Sequence, residues 1–396
     1  MARVLKVSNT LTGRKEPFHS VAPGRVNMFV CGPTVQSLMH LGHARSYIFY
    51  DVVARYLSSL GYDVNYLMNI TDVDERITRA AKASRTRPTS LARRYSKSFL
   101  DDMAALKITT VSRFEPVSRY VGEMIRQVST LLKKKRAYSV DGWVYFDTST
   151  FPAFGRLSHQ SKRELSLRPL ELSLRKKSLL DFALWRPETL LEGKWPSPWG
   201  TGSPGWHIQD TAVTLSMLGP RYDIHGGAYE LVYPHHEAEI AQAESLTGQK
   251  PVVKYWIHTG LVNMKGEKMS KSLGNVVSVR DALRFYTADE LRFFFLSTHY
   301  RRDMDLAGID SAARRLKRLR QMAMKAGSAV KRATNSVDLP SRFVAAMNDD
   351  FDTPRAIDAV ESLLGRASAD SEPGERASIC ASAVSAMGVL GVDLIG

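Results

Sequence analysis

The stretch Arg25–Ile70 reads RVNMFVCGPTVQSLMHLGHARSYIFYDVVARYLSSLGYDVNYLMNI, and it decides the fold. Arg25 to Cys31 reads as a buried strand, ending in the turn chemistry of Gly32-Pro33. Ile48, Val52, Val53, Tyr56 and Leu57 then recur at helical spacing, which predicts a helix from about Gly42 to Leu60. Gly61 stands where a glycine closes a helix, and Tyr62 to Ile70 returns as a second strand. Strand, helix, strand in that order predicts a parallel sheet of the nucleotide-binding type.

Beyond this unit, Ser90 to Lys135 reads as helical and basic, closing on Lys133-Lys134-Lys135-Arg136. Gly142 to Phe146 reads as a short strand, Ser158 to Leu184 is polar and irregular, and Trp195 to Trp206 has no regular period. From Ile309 the pattern is helical, with breaks at Val337–Pro340 and Asp370–Gly374. The expected fold is an α/β, Rossmann-like parallel-sheet catalytic domain split by an insertion, followed by an all-α C-terminal helical domain. Its expected parts are 1–115 (first half), 116–200 (connective insertion), 201–305 (second half) and 306–396 (helical domain).

Composition narrows the function classes. The chain has 396 residues, 55 Lys and Arg against 40 Asp and Glu, and a net charge of +15. Such a surplus fits a polyanionic partner, because Lys and Arg neutralise phosphates and release counterions; a basic surface that serves solubility accounts for it equally well. The longest apolar runs, such as Phe293 to Leu296, fall far short of a membrane span. The first fifteen residues lack the apolar core of a secretory signal. Two cysteines, Cys31 and Cys380, make no disulfide framework, so the expected location is the cytoplasm. The expected state is a monomer.

Two motifs fit ATP chemistry. His40-Leu41-Gly42-His43 opens the first helix, where unpaired N–H groups and the helix dipole favour phosphate. Gly42 lets the backbone approach a ligand, and His40 and His43 can face it together. Lys268-Met269-Ser270-Lys271-Ser272 sits between Gly266 and Gly274, so its two lysines can close over a triphosphate and stabilise the pyrophosphate leaving group. Each alone also fits an incidental helix start or a solvated loop; the pair, in opposite halves of the chain, points to phosphate.

The pair resembles the two signatures of class I aminoacyl-tRNA synthetases. Further strings, Cys31-Gly32-Pro33-Thr34-Val35, Asn69-Ile70-Thr71-Asp72-Val73-Asp74, Trp195-Pro196-Ser197-Pro198-Trp199-Gly200, Pro204-Gly205-Trp206-His207-Ile208, Asp223-Ile224-His225-Gly226-Gly227 and Pro234-His235-His236-Glu237, resemble the cysteinyl-tRNA synthetases up to about residue 305. The tail, with Asn348-Asp349-Asp350-Phe351-Asp352-Thr353-Pro354, resembles that family's helical tRNA-binding domain. The resemblance implies ATP with Mg2+, L-cysteine and tRNA-Cys as reactants. It makes Lys271 and Lys268 the charge-stabilising residues, with His40, Gly42 and His43 holding phosphate and ribose.

The resemblance also implies a zinc ion, held in the family by two cysteines, a histidine and a glutamate and bound directly to the substrate thiolate. Zinc prefers thiolate to hydroxyl, which separates cysteine from its near-isostere serine. The matching positions are Cys31, Asp210, His235 and Glu239. Asp210 replaces a family cysteine, so the reading divides between a more oxygen-rich zinc site and a hydrogen-bonded carboxylate. His235 also reads as a structural histidine and Glu239 as a solvated helix residue, although four-residue spacing lets them share a helix face. Cys31, Thr71, Trp206 and Glu230 match positions that contact the amino acid; Thr71 also reads as a helix cap and Trp206 as a core residue. Glu230 and Ala228 replace a family aspartate and glycine, and Gln36-Ser37 a Tyr-Asp or Tyr-Asn.

Family members commonly continue into a small anticodon-reading module, whereas this sequence stops at Gly396. Anticodon contact then falls to the basic run Arg314 to Arg320, which also reads as a solvated helix face. A related enzyme type couples cysteine to an amino-sugar, and a non-catalytic paralogue is the other alternative.

Overall fold

The structure is a computed structural model that describes residues 4–168, 173–187, 194–264, 266–268, 276–326, 339–367 and 372–395. A short N-terminal hairpin, β1 (Lys6–Asn9) and β2 (Arg14–Pro17), precedes the strand–helix–strand unit β3 (Arg25–Val30), α1 (Leu41–Ser59) and β4 (Asp63–Ile70). Strand β3 lies inside a five-stranded sheet, and most of its side chains, polar Asn27 included, are wholly or partly buried, as in a parallel strand covered on both faces. Helix α1 buries Ile48, Val52, Val53, Tyr56 and Leu57, the residues whose spacing predicted it.

The region read as one basic helix divides. Helices α2 (Glu75–Ala83) and α3 (Pro88–Ala105) are followed by strand β5 (Arg113–Pro116), and only then by α4 (Val121–Lys133). Leu106 caps α3, Lys107 turns left-handed at φ 57°, and β-branched Thr109, Thr110 and Val111 lead into the strand, which Pro116 ends. Strand β5 pairs parallel with β4 as the sheet edge.

Between the halves of the sheet lies an antiparallel four-stranded sheet of β6 (Ala137–Val140), β7 (Trp143–Phe146), β8 (Phe182–Pro187) and β9 (Gly202–Pro204), with the short helix α5 (Lys162–Ser166) between β7 and β8. Asp141-Gly142, both at positive φ, turn β6 into β7. Strand β9 falls in the segment that the sequence pattern left without regular structure.

Helix α6 (Trp206–Leu218), strand β10 (Tyr222–Ala228), helix α7 (Glu237–Thr247) and strand β11 (Val253–Thr259) complete the main sheet in the order β11-β10-β3-β4-β5, all parallel. The order reverses between β3 and β10, so the crevice past their C-terminal ends is where such sheets hold ligands. Strands β12 (Val262–Met264), β13 (Glu267–Lys268) and β14 (Met304–Asp305) form a small sheet beside it, with helices α8 (Val279–Ala282) and α9 (Ala288–Leu296) between them.

Helices α10 (Ile309–Ala326), α11 (Ser341–Met347), α12 (Thr353–Gly365) and α13 (Pro373–Val389) follow. They share one apolar core with α1 and α9. Asp350 in the Asn348–Thr353 turn is buried and accepts from Ser8 N and Ser8 Oγ, each at 2.6 Å, and from Tyr300 Oη at 2.8 Å. That turn therefore docks the helices on the catalytic half. Within the basic run, Arg315 pairs with Asp358 and Glu361, and Arg320 with Asp289, leaving Arg314, Lys317 and Arg318 exposed. Among the described residues no helix is long and apolar enough to cross a membrane.

Candidate active site

Past the ends of β3 and β10 opens a cavity of about 460 Å3. His40 caps α1, its Nδ1 accepting from His43 N at 3.4 Å, and the two imidazoles stack with centroids 3.8 Å apart. His40, Gly42 and His43 all line the cavity, so the positive end of the helix dipole and two rings meet on one wall. Backbone of Lys268 pairs with Asn263 in the small sheet; Met269 to Asn275, with Lys271, lie outside the described residues.

Cys31 forms the cavity's deep end. It follows β3 directly, and Gly32 after it is obligatory, because a Cβ there would stand 1.7 Å from the Asn69 carbonyl oxygen. Thr71 is buried behind this loop, its carbonyl accepting from Val35 N; it is not among the residues lining the cavity. Asp74, not Thr71, caps α2. Trp206, at the start of α6, is on the wall: its ring stacks on His235 at 4.1 Å and carries the Arg76 guanidinium at 4.8 Å. Glu230 is an exposed part of the same wall.

Beneath Cys31 lies a sealed cluster. Asp210, His225, His235, His236 and Glu239 are all buried. Cys31 Sγ lies 3.3 Å from Asp210 Oδ2, 3.1 Å from His236 Nε2 and 3.5 Å from His225 Nε2. His235 Nε2 lies 3.0 Å from both Asp210 Oδ2 and Glu239 Oε1. Asn69 Nδ2 donates to Asp210 Oδ1 at 2.7 Å, and His207 Nδ1 meets His235 Nδ1 at 2.9 Å. His235 belongs to an irregular turn, Val232–His236, and only Glu239 stands in α7 proper. The solvated-face reading of Glu239 and the core reading of Trp206 therefore fall away.

Electrostatics single out this cluster. Burial, then the charges of Asp210 and Glu239, push the Cys31 thiol well up; burial, then Asp210, push Glu239 up. Burial holds His225 and His236 well below the usual histidine range. Among the described residues, no Lys or Arg pairs with Asp210 or Glu239. Glu239 Oε1 is buried without a hydrogen bond, since its neighbour His235 Nε2 bonds Asp210 instead. A buried thiol and two carboxylates with an orphaned oxygen and, among the described residues, no Lys or Arg partner fit a divalent cation, and their atoms converge with the histidine nitrogens as its ligands would. His225, His236 and Arg76 were assigned no role from sequence. Only the adjacent His235-His236 pair and the His225-Gly226-Gly227 string hinted at the two histidines.

The model of the class I (C) tRNA synthetase catalytic domain matches residues 17–313. The cysteine–tRNA ligase of Thermoplasma acidophilum is 43% identical over 88% of this chain and 78% of that protein. The chain belongs to the cysteine–tRNA ligase family of class I synthetases. A second family member, the cysteine–tRNA ligase of Pelotomaculum thermopropionicum, is also 43% identical, over 92% of this chain and 78% of its own length. In fold, the chain is similar to Mycobacterium tuberculosis methionyl-tRNA synthetase in complex with methionyl-adenylate, with a TM-score of 0.62 at 18% identity over 92% of this chain and 89% of that one. It is likewise similar to the LeuRS–tRNA–LeuAMS complex of Agrobacterium radiobacter K84, with a TM-score of 0.67 at 12% identity over 93% and 84% of the two chains.

Proposed function

We propose that this chain activates L-cysteine with ATP and Mg2+ to cysteinyl-adenylate and transfers it to the 3′ end of tRNA-Cys, as a monomer in the cytoplasm. The observation that carries the reading is the cavity itself, which joins the His40–His43 helix start to the thiol–imidazole–carboxylate cluster. ATP lies against the helix start, where His40, Gly42 and His43 position phosphate and ribose. Lys271, assisted by Lys268, stabilises charge on the pyrophosphate as the amino acid carboxylate attacks the α-phosphate. Glu230 holds the substrate amino group, Trp206 and Cys31 shape the side-chain end of the pocket, and Thr71 acts from behind the loop that carries Cys31.

The cluster binds zinc through Cys31 and Glu239. Asp210 and His235 complete the donor set that the family resemblance implies, and His225 and His236 complete a second set. Bound zinc supplies a soft Lewis acid that distinguishes a thiol side chain from a hydroxyl. Cys31 and Cys380 are both free and buried, which suits a reducing compartment. Exposed Arg314, Lys317 and Arg318 supply the RNA-facing charge of α10.

Pyrophosphate exchange with cysteine, with serine and with no amino acid tests the reading. Exchange with cysteine alone is expected. Equal exchange with serine removes the specificity, and no exchange with any amino acid removes the activity.

A further inference from the structure

Arg45 stands two residues past His43 in α1 and is only 2% exposed. Among the described residues its guanidinium meets three backbone carbonyls and no carboxylate: Nη1 donates to Leu261 O, and Nη2 to Arg302 O and, at 3.4 Å, to Tyr300 O. Its Nε is buried without a hydrogen bond. Enclosing a cation without a counter-ion is unfavourable, and an apolar side chain would fill the same space without that penalty. The backbone that Arg45 holds is therefore the place to look for its purpose.

The three carbonyls belong to one feature. Leu261, with Gly260 and Val262 on either side, lines the cavity. Tyr300 and Arg302 lie in the loop that wraps this wall: Gly260 N donates to Tyr300 O, and Leu261 N to Asp303 Oδ1, each at 2.7 Å. Leu261 is thus gripped at its N–H by Asp303 and at its carbonyl by Arg45. Gly260 leaves no room for a side chain, since a Cβ there would lie 2.5 Å from Arg302 O. The wrapping loop runs on into β14, which pairs with β12, and Asp305 Oδ2 accepts from Gly266 N at 2.7 Å. Strand β12 in turn pairs with the backbone of Lys268 in β13. Arg45 therefore pins the root of the small sheet to the helix that presents His40 and His43.

Strand order places this wall within the cavity. Cys31 follows β3, Gly260 follows β11, and β10 lies between the two strands. At about 4.8 Å per strand, their ends stand roughly 10 Å apart. Ser46 Oγ, in the first turns of α1, meets Thr259 Oγ1 at the end of β11 at 2.6 Å. The Gly260–Val262 wall thus sits beside the helix start, away from the Cys31 end.

We propose that Arg45 is a positioning residue for the nucleotide: it holds the Gly260–Val262 wall against the His40–His43 helix start and leaves the amino acid end of the cavity as it is. The inference rests on the reading that ATP lies against that helix start. Pyrophosphate exchange by the full-length protein tests it through two Michaelis constants. Arg45→Met, which keeps the bulk and loses the donors, should raise KM for ATP by at least about tenfold and move KM for cysteine by less than about twofold. Arg45→Lys, which restores the charge and a donor, should fall between Arg45→Met and wild type. Gly260→Ala pushes the same wall from its outer side and should give the same split with Arg45 in place, so the test stands even where Arg45→Met fails to fold. An unchanged KM for ATP in Arg45→Met or Gly260→Ala, a KM for cysteine raised as far as that for ATP, or no recovery in Arg45→Lys overturns the assignment. Absence of exchange in the wild type overturns the reading beneath it.

Discussion

Two buried carboxylates stand in opposite surroundings. Asp51 in α1 lies against Arg292 Nη2 at 2.6 Å and Arg55 Nε at 2.8 Å, and accepts from Thr109 N and Thr110 N. Burial pushes it up, but the two arginines outweigh burial and hold it below the usual carboxylate range. Glu239 is as deeply buried, yet faces Asp210 and a thiol, and is pushed well above that range. The difference teaches what each is for. A carboxylate enclosed with its counter-ions fastens the fold; one enclosed without them waits for a cation.

The largest way to break the contrast is to remove the counter-ion of Asp51. Arg292→Ala takes from buried Asp51 the fully buried one of its two arginines and also frees the Leu390 carbonyl, which Arg292 Nη2 holds at 2.9 Å. A loss of about 3–5 kcal/mol in denaturant unfolding is expected. Lys271→Ala is expected to slow pyrophosphate exchange by about 10²–10³-fold. Its unfolding midpoint should stay within about 0.5 kcal/mol of wild type, since the effect is on chemistry alone.

Glu239→Gln should do the reverse of Arg292→Ala. Zinc at a hundredfold excess over its Kd should stabilise the wild type by about 2.7 kcal/mol and the variant hardly at all. With chelator present, the variant should be no less stable than wild type. The signs with pH also oppose. Asp51, depressed on folding, contributes stability above the ordinary carboxylate range and loses it as pH falls through its lower value. Glu239, raised on folding, costs the metal-free protein stability as pH rises through its raised value. Urea midpoints against pH should therefore rise toward acid for chelated wild type relative to Glu239→Gln, before Asp51 protonates. The smallest effect separates capping from chemistry at His40. His40→Ala should cost about 1 kcal/mol and His40→Asn, which keeps a capping acceptor, only a few tenths, while exchange falls in both.

The readable parts of this molecule are those made by neighbours in sequence. Apolar spacing in Arg25–Ile70 gave the first strand, helix and strand, and His40 to His43 could be placed at a helix start because capping is local. Strand β5 was hidden inside a helical reading, since its four residues carry little periodicity and are fixed by pairing with β4. The cluster was half legible: Cys31, Asp210, His235 and Glu239 came from the family strings, whereas His225 and His236 gain meaning only when β10 and the turn before α7 bring them to the Cys31 sulfur. Glu239 shows the limit best. Its burial comes from packing, and no pattern in α7 marks that face as interior.

The bonds of Asp350 to Ser8 have one more consequence. They join residues 342 positions apart. On a ribosome adding about 5–20 residues per second, the N-terminal hairpin waits roughly 20–70 s for the group that completes it. The hairpin is thus finished long after it is made, and nascent chains cut short before Asp350 would leave that edge open to a chaperone or a protease.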